Sequence, residues 1–322
     1  MEKARMIVEE SECVEITTLV DNYVDLLLPD SRVVTRPPLS RNGIVPSTTL
    51  LAEHGLSLLV STYSHGRRHT VLFDTGYSRT ALFNNLDLLG IDVGEIEAIV
   101  ISHAHMDHTG GLMDIIKKID RSIPLVIHPD VFLYPRYIEV DGRQILFPRT
   151  IKKEDLDGTN IQIVESKGPA MIADRSVMVT GYVKRTTDFE KGMPNVFAQR
   201  NGKTERDEIK DDQSLIINLR GKGLVIVSGC SHSGIINTVR YAQEITGIGD
   251  VYAITGGFHL SGPFFESVIE DTVNEIKRLS PQVLVPMHCT GWVATIRFFK
   301  EFSSSFVLNS VGSKITLGSI PV

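Results

Sequence analysis

Along the chain, short runs of Val, Ile and Leu alternate with stretches whose apolar residues recur every three to four positions. The runs at 14–20 (VEITTLV), 56–62 (LSLLVST), 69–74 (HTVLFD), 96–102 (IEAIVIS) and 124–128 (PLVIH) predict strands in the first half. Those at 214–219 (SLIINL), 223–229 (GLVIVSG), 251–257 (VYAITGG) and 282–288 (QVLVPMH) predict strands in the second. Between them, 78–90 sets Leu82, Phe83, Leu86 and Leu89 on one helical face and stops at Gly90, a C-terminal cap. A second helix is expected over 264–279, with Phe265, Val268, Ile269, Thr272 and Ile276 on its apolar face and Ser261 and Pro263 as start signals. Strands interleaved with amphipathic helices predict a layered α/β protein.

Two stretches interrupt this alternation. Residues 130–160 and 184–213 are dense in charge and in turn-forming residues, and they read as insertions or lids on a single domain spanning 1–322, with plain solvated surface as the alternative for each. No repeat of fixed period and no low-complexity tract is present.

Composition narrows the function classes. A chain of 322 residues, 42% hydrophobic and 22% charged, fits an ordinary globular protein with a large core rather than a disordered one. A net charge of -6 supplies no general attraction for a phosphate backbone, so no nucleic-acid partner is expected. The apolar runs fall far short of the roughly 20 residues that span a bilayer, and the N-terminal stretch lacks the pattern of a secretory signal, so no membrane partner is expected either. Cys13, Cys230 and Cys289 are too few and too scattered for a disulfide scaffold, which points to a reducing cytoplasm.

The chemistry concentrates in ISHAHMDHTGG, residues 101–111. His103 and His105 lie two apart, so an extended backbone aims both to one side, with Asp107 following on that side and His108 arriving from another direction as the chain turns. Thr109, Gly110 and Gly111 then open a helix. Neutral imidazoles with a carboxylate suit a pair of transition-metal ions. The same arrangement recurs downstream, where apolar strands end on Cys230 and His232, on His259, and on His288 with Cys289. Ligands collect beyond the carboxyl ends of strands in α/β sheets, so these ends are expected to converge on the first cluster. His232 and His288 read as ligands; Cys230 is divided between thiolate ligand and small buried residue; His259 reads as a proton donor or substrate contact; Cys289 reads as structural. His54, His65, His69 and His128 lack any such constellation.

These residues resemble the metallo-β-lactamase superfamily. HAHMDH (103–108) matches its His-x-His-x-Asp-His signature, LFDTG (72–76) its first motif, and VPMHCTG (285–291) its last histidine motif. The resemblance implies a four-layer αββα sandwich with a metal centre along one edge, two divalent transition-metal ions with zinc first and iron or manganese as alternatives, and a supporting role behind the ligands for Asp74. A narrower similarity, carried by LVDNY, EHGLSLL, DDQSL, GCSHSG, GGFHL and PMHCTG, is to the branch of the dihydropterin–ribofuranosylaminobenzene phosphate synthases. Against the wider superfamily, Tyr182 stands where a histidine is usual and Cys230 where an aspartate bridges the ions, which makes His232 the nearest replacement ligand. Met106 stands where oxygen-reducing relatives carry glutamate, which argues against redox chemistry.

The expected function is hydrolysis of a small, phosphorylated ester or similar substrate by a metal-activated water that Asp107 orients or deprotonates, with His259 as the second catalytic residue. Alternatives are a transferase condensing a pterin pyrophosphate with a ribofuranosylaminobenzene phosphate, and a non-enzymatic metal-binding sensor. A small molecule, phosphorylated or pterin-like, is the expected partner, and homo-oligomerisation stays open.

Overall fold

The computed structural model describes residues 5–40 and 42–320, so the ends of the expected 1–322 domain and position 41 lie outside the described residues. Two large sheets dominate. The first runs in the order Ile161–Glu165, Ile123–Ile127, Ala98–Val100, Arg67–Phe73, Ser57–Ser64, Cys13–Val20, Lys314–Gly318 and Val34–Thr35. The second runs in the order Ala170–Ile172, Val177–Val179, Ser214–Leu219, Gly223–Ser228, Val251–Gly257 and Val283–Met287, with Glu10–Ser11 pairing parallel to Ser214–Leu219.

The unbroken apolar runs have a physical reason: both faces of each central strand are buried. Alternate residues divide between two environments. Leu58, Val60, Val71, Phe73 and Val100 of the first sheet meet Leu215, Ile217, Val225, Val227 and Val285 of the second in one central core. The intervening residues face outward onto helices. Leu59, Leu72 and Ile99 pack with Leu82 and Leu86 of the helix Arg79–Leu89 and with Leu112 and Ile115 of the helix Leu112–Lys118. Ile216, Ile226 and Leu284 pack with Val239 of Ile235–Thr246, Val273 of Ile269–Leu279 and Phe298 of Trp292–Glu301. The layers are therefore helix, sheet, sheet, helix, the αββα sandwich.

Gly90 caps the first helix as its sequence predicts, left-handed at φ 66°, and Ser78 caps its start by accepting from the Ala81 amide. The helix expected over 264–279 begins later. A 3-10 turn at Glu266–Val268 leads into Ile269–Leu279, and Phe265 packs edge-on to His259 at 4.6 Å between ring centroids instead of joining the helix's apolar face. Among the described residues no helix is long and apolar enough to cross a membrane.

The charged segments around 130–160 and 184–213 each contribute a hairpin to one small antiparallel sheet, ordered Lys203–Arg206, Val196–Arg200, Arg136–Val140 and Arg143–Leu146. At its base Arg136 is buried and paired with Asp211 at 2.6 Å and Asp207 at 3.2 Å. Asp211 also accepts a hydrogen bond from the backbone of Ala104, between His103 and His105, so the small sheet is anchored to the histidine loop.

Candidate metal centre

Parallel pairing sets the strand ends side by side. Arg67–Phe73 runs parallel to Ala98–Val100, and Gly223–Ser228, Val251–Gly257 and Val283–Met287 run parallel to one another. The loops that leave these five strands carry Asp74, His103, Cys230, His259 and His288. The two sheets touch here. Gln213 donates from its backbone to Ser102 and from its side chain to Ile101, and a Cβ at Gly229 would collide with the Ser102 side chain, so only glycine lets the second sheet's loop close on the first.

The donors fall into overlapping groups, the atoms in each lying within 4.8 Å of one another: His103, His105 and His232; Asp107, His108 and His288; His103, His108 and Cys230; and Cys230, His259 and Cys289. His103 Nε2 is 3.0 Å from His105 Nδ1 and 3.1 Å from His232 Nε2. His108 Nε2 is 3.1 Å from Cys230 Sγ, and Asp107 Oδ2 is 3.2 Å from His288 Nε2. Asp107 does not follow His103 and His105 to their side. Met106–Thr109 is a helical turn rather than extended chain, and its rotation hands Asp107 and His108 to His288. The sequence cluster thus divides between two neighbouring donor sets.

Outer partners fix the rings. Asp74 lies 2.6 Å from His108 Nδ1 and accepts from both the backbone and the hydroxyl of Ser102, whose oxygen is 2.9 Å from His103 Nδ1. Asn22 is 3.1 Å from His288 Nδ1, and Asp21 accepts from the His288 backbone. With one ring nitrogen engaged, each of these three imidazoles turns the other inward. Asp74, Ser231, His259 and His288 hold left-handed backbone at φ 60°, 56°, 44° and 51°, a clustering of non-glycine strain found where loops are built for a site.

Burial, helped by neighbouring imidazoles, holds His103 and His232 well below the usual imidazole range. Burial also brings His105 down to about 4. Burial opposes charge on His108 too, but Asp74 and Asp107 outweigh it and raise this ring to about 9. Asp107 is buried, which favours its neutral form, yet His108 and His288 hold it well below the usual carboxylate range. Neutral imidazoles at His103, His105 and His232 suit a divalent transition cation, and beside Asp107 the proton on His108 marks where a cation's charge would take its place.

His232 and His259 lie against each other at 4.3 Å between centroids, and His232 Nδ1 and His259 Nδ1 are buried without a hydrogen-bond partner among the described residues. Cys289, read from sequence as structural, has its sulfur in the group with Cys230 and His259. His54, set aside in the sequence, stands at the rim with Nε2 3.5 Å from Asp107 and its ring 5.2 Å from that of His288. Asp21 and Asn22 were also missed as site residues, although they end the strand Cys13–Val20 just as the histidines end theirs.

A profile of the metallo-beta-lactamase superfamily matches residues 53–179. The chain is 35% identical over 260 residues, 79% of its length and 87% of the relative's, to 7,8-dihydropterin-6-methyl-4-(beta-D-ribofuranosyl)-aminobenzene-5'-phosphate synthase of Methanocaldococcus jannaschii. An uncharacterised protein of the same organism is 33% identical over 82% of this chain and 93% of its own. Among solved structures, a metal-dependent hydrolase of the beta-lactamase superfamily superposes with a TM-score of 0.69 at 26% identity, covering 95% of this chain and 100% of that one. The Bacillus subtilis metallo-beta-lactamase fold protein YhfI, at 12% identity and a TM-score of 0.54 over 95% of this chain and 100% of its own, shares the fold. The chain belongs to the metallo-beta-lactamase superfamily, in the branch that includes the M. jannaschii synthase, and its relatives of named activity are enzymes.

Proposed function

We propose that this chain is a two-metal hydrolase acting on an ester-like bond of a small phosphorylated molecule. The observation that carries the reading is the convergence of donor atoms from both sheets, each group within 4.8 Å, with the outward nitrogens of His103, His108 and His288 already engaged. His103, His105 and His232 would hold one ion and Asp107, His108 and His288 the other, with Cys230 within reach of both through His103 and His108. Zinc is our first assignment, and iron and manganese suit the same donors. Cations held there would supply Lewis acidity and lower the pKa of a water toward neutrality.

The protein's own groups then have separate tasks. Asp74 orients His108 and, through Ser102, the loop that carries His103. Asp107, held ionised, is placed to orient or accept a proton from the attacking water, and His54 beside it at the exposed rim leads that proton to solvent. His259, on the far side of His232, donates a proton to the departing group. Free thiols at all three cysteines suit the reducing cytoplasm that we assign as its location.

Elemental analysis of the purified protein tests the premise: two transition-metal ions per chain are expected, with one set depleted in His103→Ala and the other in His288→Ala. A metal-free protein would reject it. Turnover of a panel of phosphorylated esters and lactones should fall more than about 100-fold in Asp107→Asn. Rates that survive this change would discard its role with the attacking water.

The 35% identity to the synthase favours a second reading, in which the same centre would bind a departing pyrophosphate while an arylamine nitrogen, in place of water, attacks the pterin's methylene carbon. Release of pyrophosphate only when a pterin pyrophosphate and a ribofuranosylaminobenzene phosphate are both present would select it.

A further inference from the structure

Three of the converging imidazoles are turned by a side chain at their outer nitrogen: His103 by Ser102, His108 by Asp74 and His288 by Asn22. His232 is not. Its Nε2 faces His103 at 3.1 Å, while its Nδ1 is buried without a hydrogen-bond partner among the described residues. The loop that carries it passes through left-handed backbone on both sides, with Ser231 at φ 56° and Gly234 at φ 98°. Such a loop persists only where its surroundings hold it.

The hold is on the main chain. Arg185 Nη2 donates to the His232 carbonyl at 3.0 Å, and Asp212 accepts from the Ser233 amide at 2.9 Å. That carbonyl and that amide belong to one peptide unit, gripped by a guanidinium at one pole and a carboxylate at the other. Because the unit is planar, fixing both poles fixes its rotation and with it the direction in which the His232 side chain leaves the backbone. Neighbours of Arg185 secure the rest of the loop. Asn237 accepts from the amides of Thr186 and Thr187 and donates to the Ser233 carbonyl, and Glu190 accepts from the amides of Ile236 and Asn237. Two glycines make room for this contact, since a Cβ at Gly192 would strike the Arg185 guanidinium and one at Gly234 the Glu190 carboxylate.

We propose that Arg185 and Asp212 are positioning residues for His232, gripping the peptide unit that joins it to Ser233 so that its ring stays aimed at His103 and His105. The two stand at opposite ends of the charged segment 184–213, whose middle forms the hairpin Val196–Arg206 of the small sheet. The ends of the segment are thus a brace for one donor set rather than part of a lid. The consequence for ion binding rests on reading His103, His105 and His232 as a metal-binding set, whereas the ring orientation itself does not require ions.

Arg185→Met keeps the apolar stem and removes the donors. Zinc affinity of the purified protein, measured by competition with a chelator, should fall about 10–100-fold for the ion that His232→Ala also loses and stay within about twofold for the ion that His288→Ala loses. Added to His232→Ala, the same change should leave metal binding as it is, because no ring remains to be aimed. Arg185→Lys, which returns a donor, should recover most of the affinity. Asp212→Asn should outperform Asp212→Ala, since it keeps an oxygen for the Ser233 amide and places its new amide where Asp212 Oδ1 has no partner. In metal-stripped protein carrying isotope-labelled histidine, the His232 ring resonance, assigned by its loss in His232→Ala, should broaden or split in Arg185→Met. Arg185→Gln, too short to span to the His232 carbonyl, is read in the same way should Arg185→Met fail to fold. Equal weakening of both ions would assign Arg185 to the fold at large and overturn the proposal, as would unmoved affinity and an unmoved ring resonance in a folded variant. A wild-type protein that binds no ion, yet whose His232 resonance responds to Arg185, would keep the brace and reject the metal centre.

Discussion

The histidine loops and the small four-stranded sheet beside them are neighbours built on opposite principles. Every strand that delivers a donor lies in a sheet buried on both faces, and the loops beyond are pinned by buried polar groups such as Asp74, Ser102 and Gln213. The small sheet has two fully exposed strands, Arg143–Leu146 and Lys203–Arg206, and no apolar layer of its own comparable to the central core. Its buried anchor is Arg136, which meets Asp207 and Asp211, with Arg200 paired to Asp130 and Phe147 stacked on His105 nearer the surface. Rigidity for the chemistry and adaptability for access are thereby divided between two regions, and damage to one should leave a different signature from damage to the other.

The sharpest way to break that division is Arg136→Ala. Removing the cation leaves Asp211 buried without its counter-charge and Asp207 with only the more distant Arg200, and a loss of about 3–5 kcal/mol in unfolding free energy is expected from denaturant titration. Because Asp211 also holds the Ala104 amide, the histidine loop should loosen with the sheet. A change below about 1 kcal/mol would show that the small sheet has some other anchor.

Glu190 offers a pH-dependent test of how the 184–213 segment docks. Its carboxylate accepts from the amides of Ile236 and Asn237 at the start of the helix Ile235–Thr246, and burial raises its pKa from 4.5 to about 7. The folded protein therefore keeps a proton that the unfolded chain has released. Its contribution favours folding fully below pH 4.5 and is lost as pH rises through about 7, a swing of up to ~3 kcal/mol. Stability measured from pH 4.5 to 8 should show wild type declining relative to Glu190→Gln. A constant difference between the two would mean that this carboxylate titrates normally.

The same division explains what could be read in the sequence. Strands buried on both faces leave continuous Val, Ile and Leu runs, and a strand that stops on histidine is conspicuous, so the layers and His103, His105, His232 and His288 were legible. The pairing of Arg136–Val140 with Val196–Arg200 was not, because the partners are far apart in the chain and their charged sequences lack a sheet-like alternation. The course of Asp107 was hidden for another reason: an extended and a helical reading of Met106–Thr109 differ by a single turn, and only packing against His288 selects one. Asn22 and His54 carried a usable signal in their place at or beside strand ends, but each has only one acidic neighbour, Asp21 or Glu53, and no second histidine or cysteine nearby in sequence to suggest a donor set.

Within the rigid region, Asp74→Asn separates orientation from fold. Asparagine tolerates the left-handed backbone that Asp74 adopts at φ 60°, so the chain should still fold. One of the oxygens that serves Ser102 and His108 becomes an amide donor, and metal affinity measured by competition with a chelator should fall about 10–100-fold, as it does when an outer partner of a metal-bound histidine is lost. Unchanged affinity would show that Ser102 alone sets the rings.

The smallest effect is expected at the boundary between the two regions. The His54 side chain is 68% exposed and reaches Asp107 only at 3.5 Å, in contrast to the fully buried side chain of His288 on the same carboxylate. His54→Ala should change stability by less than about 0.5 kcal/mol and leave the number of bound ions as it is in wild type. Elemental analysis decides the point, because an ion that requires His54 would leave with it. In that event the rim histidine would be a ligand, and the line between a buried centre and its exposed approach would have to be drawn one residue further out.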